Sequence, residues 1–256
     1  MQERKGIKIS ITRISEGRKE KNFDLVAREI LFSIFLNGKK IVTLNCTPEN
    51  YKYLGLGFLF TSGILQKKEE IESIKINNEQ SLISIEVKGV SFSSEDILKN
   101  NLPKKIYQPE AKEESLFNDF SFRIKSNQVF KLISKMQERA VFFKLTGGVH
   151  SCALVDKNGS TILFTEDISR YNTIDKILGE AFLKDIPRED TIILTSCRIT
   201  SDILIKIAFG KIPIIISRAA PTDKAVELAK KTGITLVGFV RGERMNIYTH
   251  PQRIEV

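Results

Sequence analysis

The alternation of apolar and polar positions is clearest between residues 191 and 249. Thr191–Thr195 is a β-branched run with no helical period. Ile199, Ile203 and Ile207 then recur on one helical face, and Gly210 stops that helix. Residues 212–216 form a second apolar strand. Thr222 caps a helix through Ala225, Val226 and Ala229 that Gly233 ends, and residues 234–240 form a third strand before a short last one. Strands separated by single helices predict parallel pairing, because each crossover returns the chain to the same edge.

Earlier in the chain the pattern is looser. Residues 1–27 mix short β-prone pieces with charge and are placed only loosely. Residues 30–36 and 41–44 flank Asn37-Gly38, a strong signal for a two-residue hairpin turn. Thr47-Pro48-Glu49 reads as a helix start with Thr47 as N-cap. Tyr51, Leu54, Phe58 and Leu59 give that helix its buried face, and Gly63 ends it. Gly55 and Gly57 weaken an isolated helix, so close packing against another backbone is expected there. Residues 71–76 and 82–87 pair around Asn77-Asn78. Residues 99–115 form a polar, Pro-containing connector, taken as the domain boundary or a mobile loop. Ser126 caps a helix with Val129, Phe130, Ile133 and Met136 on one face. Residues 141–145 read as a strand, and residues 153–156 and 161–164 as a hairpin around Asn158-Gly159. Tyr171, Ile174, Leu178 and Phe182 then mark a helix. The expected fold is α/β: a smaller N-terminal α+β domain with its connector over residues 1–115, and a mixed-sheet domain over 116–256.

In an open parallel sheet, ligands sit outside the carboxyl ends of the strands. Those ends carry Ser196-Cys197-Arg198, Ser217-Arg218 and Arg241-Gly242-Glu243-Arg244, and two helices start nearby at Thr200 and Thr222. Arginine suits bidentate phosphate contact, so three successive loops point to an anionic ligand with more than one phosphate. The plainer account is solvated loop arginines on a basic protein. Lys plus Arg number 40 against 31 for Asp plus Glu, a net charge of +9. That balance suits a phosphorylated ligand, nucleic acid or an anionic surface. The lysines are scattered without interleaved aromatics, which disfavours nucleic acid as a partner. No stretch is long enough to span a bilayer and the charged start MQERKGIK is not a signal peptide, so a cytoplasmic protein with no membrane partner is expected. Three widely spaced cysteines, Cys46, Cys152 and Cys197, argue against a disulfide scaffold.

Two further stretches could carry chemistry. Thr146-Gly147-Gly148-Val149-His150-Ser151 joins two elements, and paired glycines let a backbone approach a ligand and expose N–H groups. His150, one of two histidines, is a site candidate there or else a structural imidazole. Glu166, Asp167, Arg170, Tyr171 and Asn172, with Asp175 and Lys176 after them, crowd polar groups at a strand-to-helix junction. They could bind sugar hydroxyls or a base edge. Asp167 could also cap the helix or pair with Arg170. No zinc-deaminase signature, Walker A motif or GxGxxG occurs, and no metal site is expected.

TGGVHSCAL at 146–154, TEDISRYNTIDKILG at 165–179, SCRIT at 196–200, SRAAPTDKAVELAKKTGITLVGFVRG at 217–242 and YTHPQRI at 248–254 resemble the FdhD family of formate dehydrogenase accessory proteins. NCTPENYKYLGLGFLFTSGIL at 45–65 resembles that family's N-terminal block. The resemblance implies a cytidine-deaminase-like C-terminal domain without zinc, and a homodimer. It also implies sulfur transfer from a cysteine desulfurase to the molybdenum bis-molybdopterin guanine dinucleotide cofactor of a formate dehydrogenase catalytic subunit, with GDP as a fragment of that ligand. The family's cofactor-contact segment falls on Phe239, Val240, Arg241, Gly242, Glu243 and Arg244. Two departures stand out. The family's persulfide-forming CxxC belongs near residues 99–115, where this chain has no cysteine, and Tyr171 stands where the family has histidine. Sulfur transfer would then need a displaced thiol, with Cys197 on the rim as candidate, Cys152 beside His150 second and Cys46 third. The alternative is a cofactor chaperone that moves no sulfur. A general nucleotide or RNA binder rests on charge alone.

Overall fold

The structure, a computed structural model, describes residues 5–89, 116, 117, 119 and 121–256. The connector expected at 99–115 lies outside the described residues. Gly6–Ser15 (β1) and Arg18–Ala27 (β2) form an antiparallel ribbon that sequence patterning had placed only loosely. Its alternation is weak because both faces are largely solvated; Ile14 is 67% and Phe23 68% exposed. Ile30–Leu36 (β3), Lys39–Cys46 (β4), Ile71–Asn77 (β5) and Leu82–Val87 (β6) build a four-stranded sheet of order β4-β3-β6-β5. The turn at Asn37-Gly38 is as expected, with both residues at positive φ.

The helix Tyr51–Thr61 (α1) starts later than Thr47, with Asn50 in the left-handed region as its N-cap and no acid in its first turn. Thr47 is instead committed across the molecule. Its N–H and hydroxyl both donate to Asp167 Oδ2, at 3.1 and 2.8 Å. The expectation of backbone packing holds for Gly57 but not for Gly55, where a Cβ would meet the Ile83 side chain at 2.8 Å. A Cβ on Gly57 would lie 1.8 Å from the Asp175 carbonyl oxygen.

Ile124–Lys125 (β7) leads into Ser126–Arg139 (α2), where Lys125 rather than Ser126 is the N-cap. Residues 141–145 are not a strand: Val141–Thr146 is a short helix (α3). The Glu166 carboxylate accepts the N–H groups of Phe142 and Phe143 at 3.1 and 2.9 Å, satisfying donors that a helix start leaves unpaired. That tertiary cap overrides the β preference of Val-Phe-Phe. Gly147, at φ 64, ends the helix and donates its N–H to the Phe143 carbonyl.

A six-stranded mixed sheet follows. It comprises His150–Asp156 (β8), Thr161–Asp167 (β9), Thr191–Thr195 (β10), Ile214–Ser217 (β11), Thr235–Arg241 (β12) and Arg244–Thr249 (β13) in the order β13-β12-β11-β10-β8-β9. β10, β11 and β12 run parallel, as expected; β8 runs against β10, β9 against β8, and β13 against β12. Arg170–Leu183 (α4), Ser201–Phe209 (α5) and Asp223–Thr232 (α6) complete the helices, and Thr222 accepts the Ala225 N–H as cap of α6. Ile254–Glu255 (β14) pairs with β7 in parallel. One apolar cluster runs from Phe32, Ile34 and Leu54 through Ile174 and Leu178 to Ile203 and Leu236, so both larger sheets share a core. Among the described residues no helix is long and apolar enough to cross a membrane.

Candidate functional site

The carboxyl ends of β10, β11 and β12, the start of β8 and the end of β9 meet at one edge of the six-stranded sheet. The ladder between β8 and β10 continues past the strands. Ser196 donates its N–H to the Ser151 carbonyl, and Ser151 donates its own N–H to Ser196 Oγ at 2.9 Å. A cavity of about 460 Å³ opens here, lined on the strand side by His150, Ser151, Ser196 and Arg218. Its other wall comes from α2 and α3: Met136, Gln137, Ala140, Phe143 and Lys144, followed by Gly147, Gly148 and Val149. That volume falls within the roughly 300–1,000 Å³ of small-molecule sites.

Five expected site residues thus share one wall system: Gly147, Gly148, His150, Ser196 and Arg218. Arg218 Nε is enclosed yet has no hydrogen-bond partner among the described residues. The Arg170 guanidinium lies close enough to act on His150, and its Nη2 donates to the Tyr171 hydroxyl at 2.8 Å. Burial first, then Arg170, holds His150 below the usual imidazole range, against an opposing pull from Asp167. The lowering favours the neutral ring, whose nitrogens can donate or accept.

The glycine pair works differently from expectation. Gly147 and Gly148 do not aim free N–H groups at a ligand, because these donate to the Phe143 carbonyl and to Thr146 Oγ1. Thr146 Oγ1 in turn donates to the Phe142 carbonyl. What the pair supplies is the positive φ at Gly147; a Cβ on Gly148 would make only ordinary contact with the Ala27 methyl, at 3.5 Å.

The polar cluster of 166–176 is mostly interior. Asp167 does not pair with Arg170. Its Oδ2 accepts from Lys176 Nζ at 2.6 Å, and its Oδ1 accepts the Ser169 N–H and the Asn172 amide. Asp175 holds Lys206 Nζ at 2.8 Å and accepts the Thr61 hydroxyl at 2.7 Å. Asp167, Asn172, Asp175 and Lys176 are all buried, where they join residues 45–61 to α4 and α5. Glu166 caps α3, and burial raises its carboxyl above the usual range although two N–H donors oppose the shift.

Of the remaining rim arginines, Arg198, Arg241 and Arg244 are exposed and do not line the cavity. Arg241 lies over the Phe239 ring, 5.7 Å from its centroid. Phe239 sits at φ 53 beside an irregularity in the β12–β13 ladder, and a Cβ on Gly238 would meet the Ala219 carbonyl at 2.9 Å. The segment 239–244, with Val240 buried, Gly242 at φ 57 and Glu243 exposed, is thus a shaped turn next to the β11 loop. Ser217 Oγ donates to the Cys197 carbonyl at 2.7 Å, and Thr222 is used as the α6 cap. Cys197 is buried below the rim with Thr195 Oγ1 at 3.0 Å from its sulfur. Burial raises the Cys197 and Cys152 thiols, and pushes Cys46 up to about 12.

Sequence reading missed the α2–α3 wall. Reading 141–145 as a strand hid that Phe143 and Lys144 face the cavity. The available signal was Gly147, which suits a helix C-cap as well as a turn.

Comparison with known proteins agrees with this architecture. A protein from Shouchella clausii described as sulfur carrier protein FdhD is 32% identical over 260 residues, covering 96% of each chain. One of the same description from Bacillus pumilus is 35% identical over 246 residues, covering 93% of this chain and 94% of its own. A crystal structure from Desulfotalea psychrophila, described as a formate dehydrogenase accessory protein, superposes with a TM-score of 0.80 at 28% identity, covering 98% of this chain and 99% of its own. The FdhD/NarQ family pattern matches residues 27–255, nearly the whole chain, and the protein belongs to that family.

Proposed function

We propose that this chain is an accessory protein of formate dehydrogenase maturation that holds a molybdenum bis-molybdopterin guanine dinucleotide cofactor as cargo, by its diphosphate, at the mouth of the cavity, and supports the cofactor's sulfuration. The observation that carries this reading is Arg218: an enclosed guanidinium nitrogen without an acceptor among the described residues, in a cavity wall shared with Ser196 and His150. A phosphate in the cavity would suit the bidentate geometry of this guanidinium. The exposed Arg241 and Arg244 extend positive charge along the same sheet edge. The names of the relatives support the assignment to this pathway. The cytidine-deaminase-like description of residues 116–256, the boundary at 115 and a homodimer belong to the same proposal.

Calorimetric titration with GDP tests it. Removing a charged hydrogen bond costs ~1.5–3 kcal/mol, so Arg218→Ala weakens binding by roughly 10- to 150-fold, with Arg241→Ala and Arg244→Ala measured beside it. Affinity unchanged in all three variants removes the rim from the site.

A second reading is favoured by the cysteines: the chain holds the cofactor while another protein carries the sulfur. Carrier sulfur needs a reachable thiolate, and Cys46, Cys152 and Cys197 are all buried with raised thiols. Intact mass after incubation with a cysteine desulfurase and cysteine separates the two. No sulfur adduct is expected; an adduct lost on Cys197→Ala restores the carrier role.

A further inference from the structure

The cavity has two chemically different walls. Ser196, Arg218 and His150 face it from the strand ends, while Met136, Ala140 and Phe143 face it from α2 and α3. Phe142, one residue before Phe143, is buried, but the Phe143 ring is left 42% exposed at the cavity. Its backbone is fixed on both sides. The N–H donates to Glu166 Oε1 at 2.9 Å, and the carbonyl accepts the Gly147 N–H at 2.7 Å. Lys144, the next residue, is tied back to the Glu138 carbonyl at 2.9 Å. An apolar ring mounted on a backbone held at both ends, at a cavity whose far wall carries the Arg218 guanidinium, fits a ligand that is a flat ring at one end and an anion at the other.

We propose that Phe143 is the platform on which the nucleobase of the bound dinucleotide stacks, so that the cavity reads ring and phosphate at separate positions. This rests on the nucleotide reading above. It adds that α3, which touches no phosphate in this arrangement, sets preference for an aromatic base over a bare polyphosphate. Met136 and Ala140 line the same wall of the cavity, and Glu166 is a positioning residue for the Phe143 backbone.

The test is calorimetric titration of the full chain and its variants with GDP and, separately, with inorganic pyrophosphate. Base–aromatic stacking removed by an alanine substitution lowers affinity by roughly 5- to 150-fold. Phe143→Ala is expected to weaken GDP in that range and leave pyrophosphate unchanged, with Phe143→Trp restoring GDP. Arg218→Ala is expected to weaken both ligands. GDP bound equally by wild type and Phe143→Ala overturns the platform and leaves the nucleotide reading standing. An equal loss of both ligands in Phe143→Ala also overturns it, because the ring then only holds the wall together. Failure of the wild-type chain to bind GDP overturns both readings.

Discussion

His150 and Glu166 shift in opposite directions of stability at the same sheet edge. The folded state lowers His150 from 6.5, chiefly by burial, so folding disfavours its protonation. Its contribution is complete above pH 6.5 and is lost as pH falls through the lowered folded value. Glu166 is raised from 4.5, again chiefly by burial, so its contribution is complete below pH 4.5 and is lost as pH rises through the raised value. Thermal midpoints across pH 4–8 are expected to show both edges. Replacement of His150 by Gln removes the loss on the acid side of 6.5, and Glu166→Gln removes the loss on the alkaline side of 4.5. With two histidines in the chain, imidazole resonances followed by NMR assign the first directly. The same residues show what a sequence conceals. That His150 lines the cavity agrees with its place after Gly147-Gly148. That Glu166 caps a helix beginning 25 residues before it was not readable, because a tertiary carboxylate leaves no mark near Val141.

At the scale of elements, the parallel run of β10, β11 and β12 was legible because β-branched stretches alternate with single amphipathic helices between clear stops at Gly210 and Gly233. The hairpins were legible from Asn37-Gly38 and Asn158-Gly159. The α3 helix and the β1–β2 ribbon were not: one depends on a distant cap, and the other lacks a buried face to pattern. The crossing of α1 and α4 was half legible. Gly57 announced a close approach whose partner is Gly179 with the backbone around Asp175, whereas Gly55 faces the Ile83 side chain of β6. A Cβ on Gly179 would fall 2.1 Å from the Tyr53 carbonyl and 2.5 Å from the Gly57 nitrogen. Because backbone, unlike a side-chain tip, cannot turn aside, Gly179→Ala is expected to destabilise by about 3 kcal/mol, the upper end for overpacking. A shift of the urea midpoint at unchanged m-value measures it.

For the whole molecule, the continuous core and the two buried ionic links, Lys176–Asp167 with Thr47 and Lys206–Asp175 with Thr61, bind the four-stranded sheet to the six-stranded one. Differential scanning calorimetry is therefore expected to give one unfolding transition, with calorimetric and van't Hoff enthalpies equal, although the composition suggests a division near residue 115. The thiols report the same event: Ellman's reagent is expected to leave Cys46, Cys152 and Cys197 unmodified in the native chain and to titrate them only on unfolding. Two transitions, or a fast-reacting thiol, contradict this picture.

Where Gly57 rides on Gly179, no layer of side chains separates the helices to act as a bearing. Helices usually slide on such layers, so shear is blocked at this point and the two sheets move as one piece. The cavity therefore sets the short α3 helix against a sheet edge that is fixed from behind. Glu166, reaching from the end of β9 to the start of α3, fastens that wall to the same sheet edge.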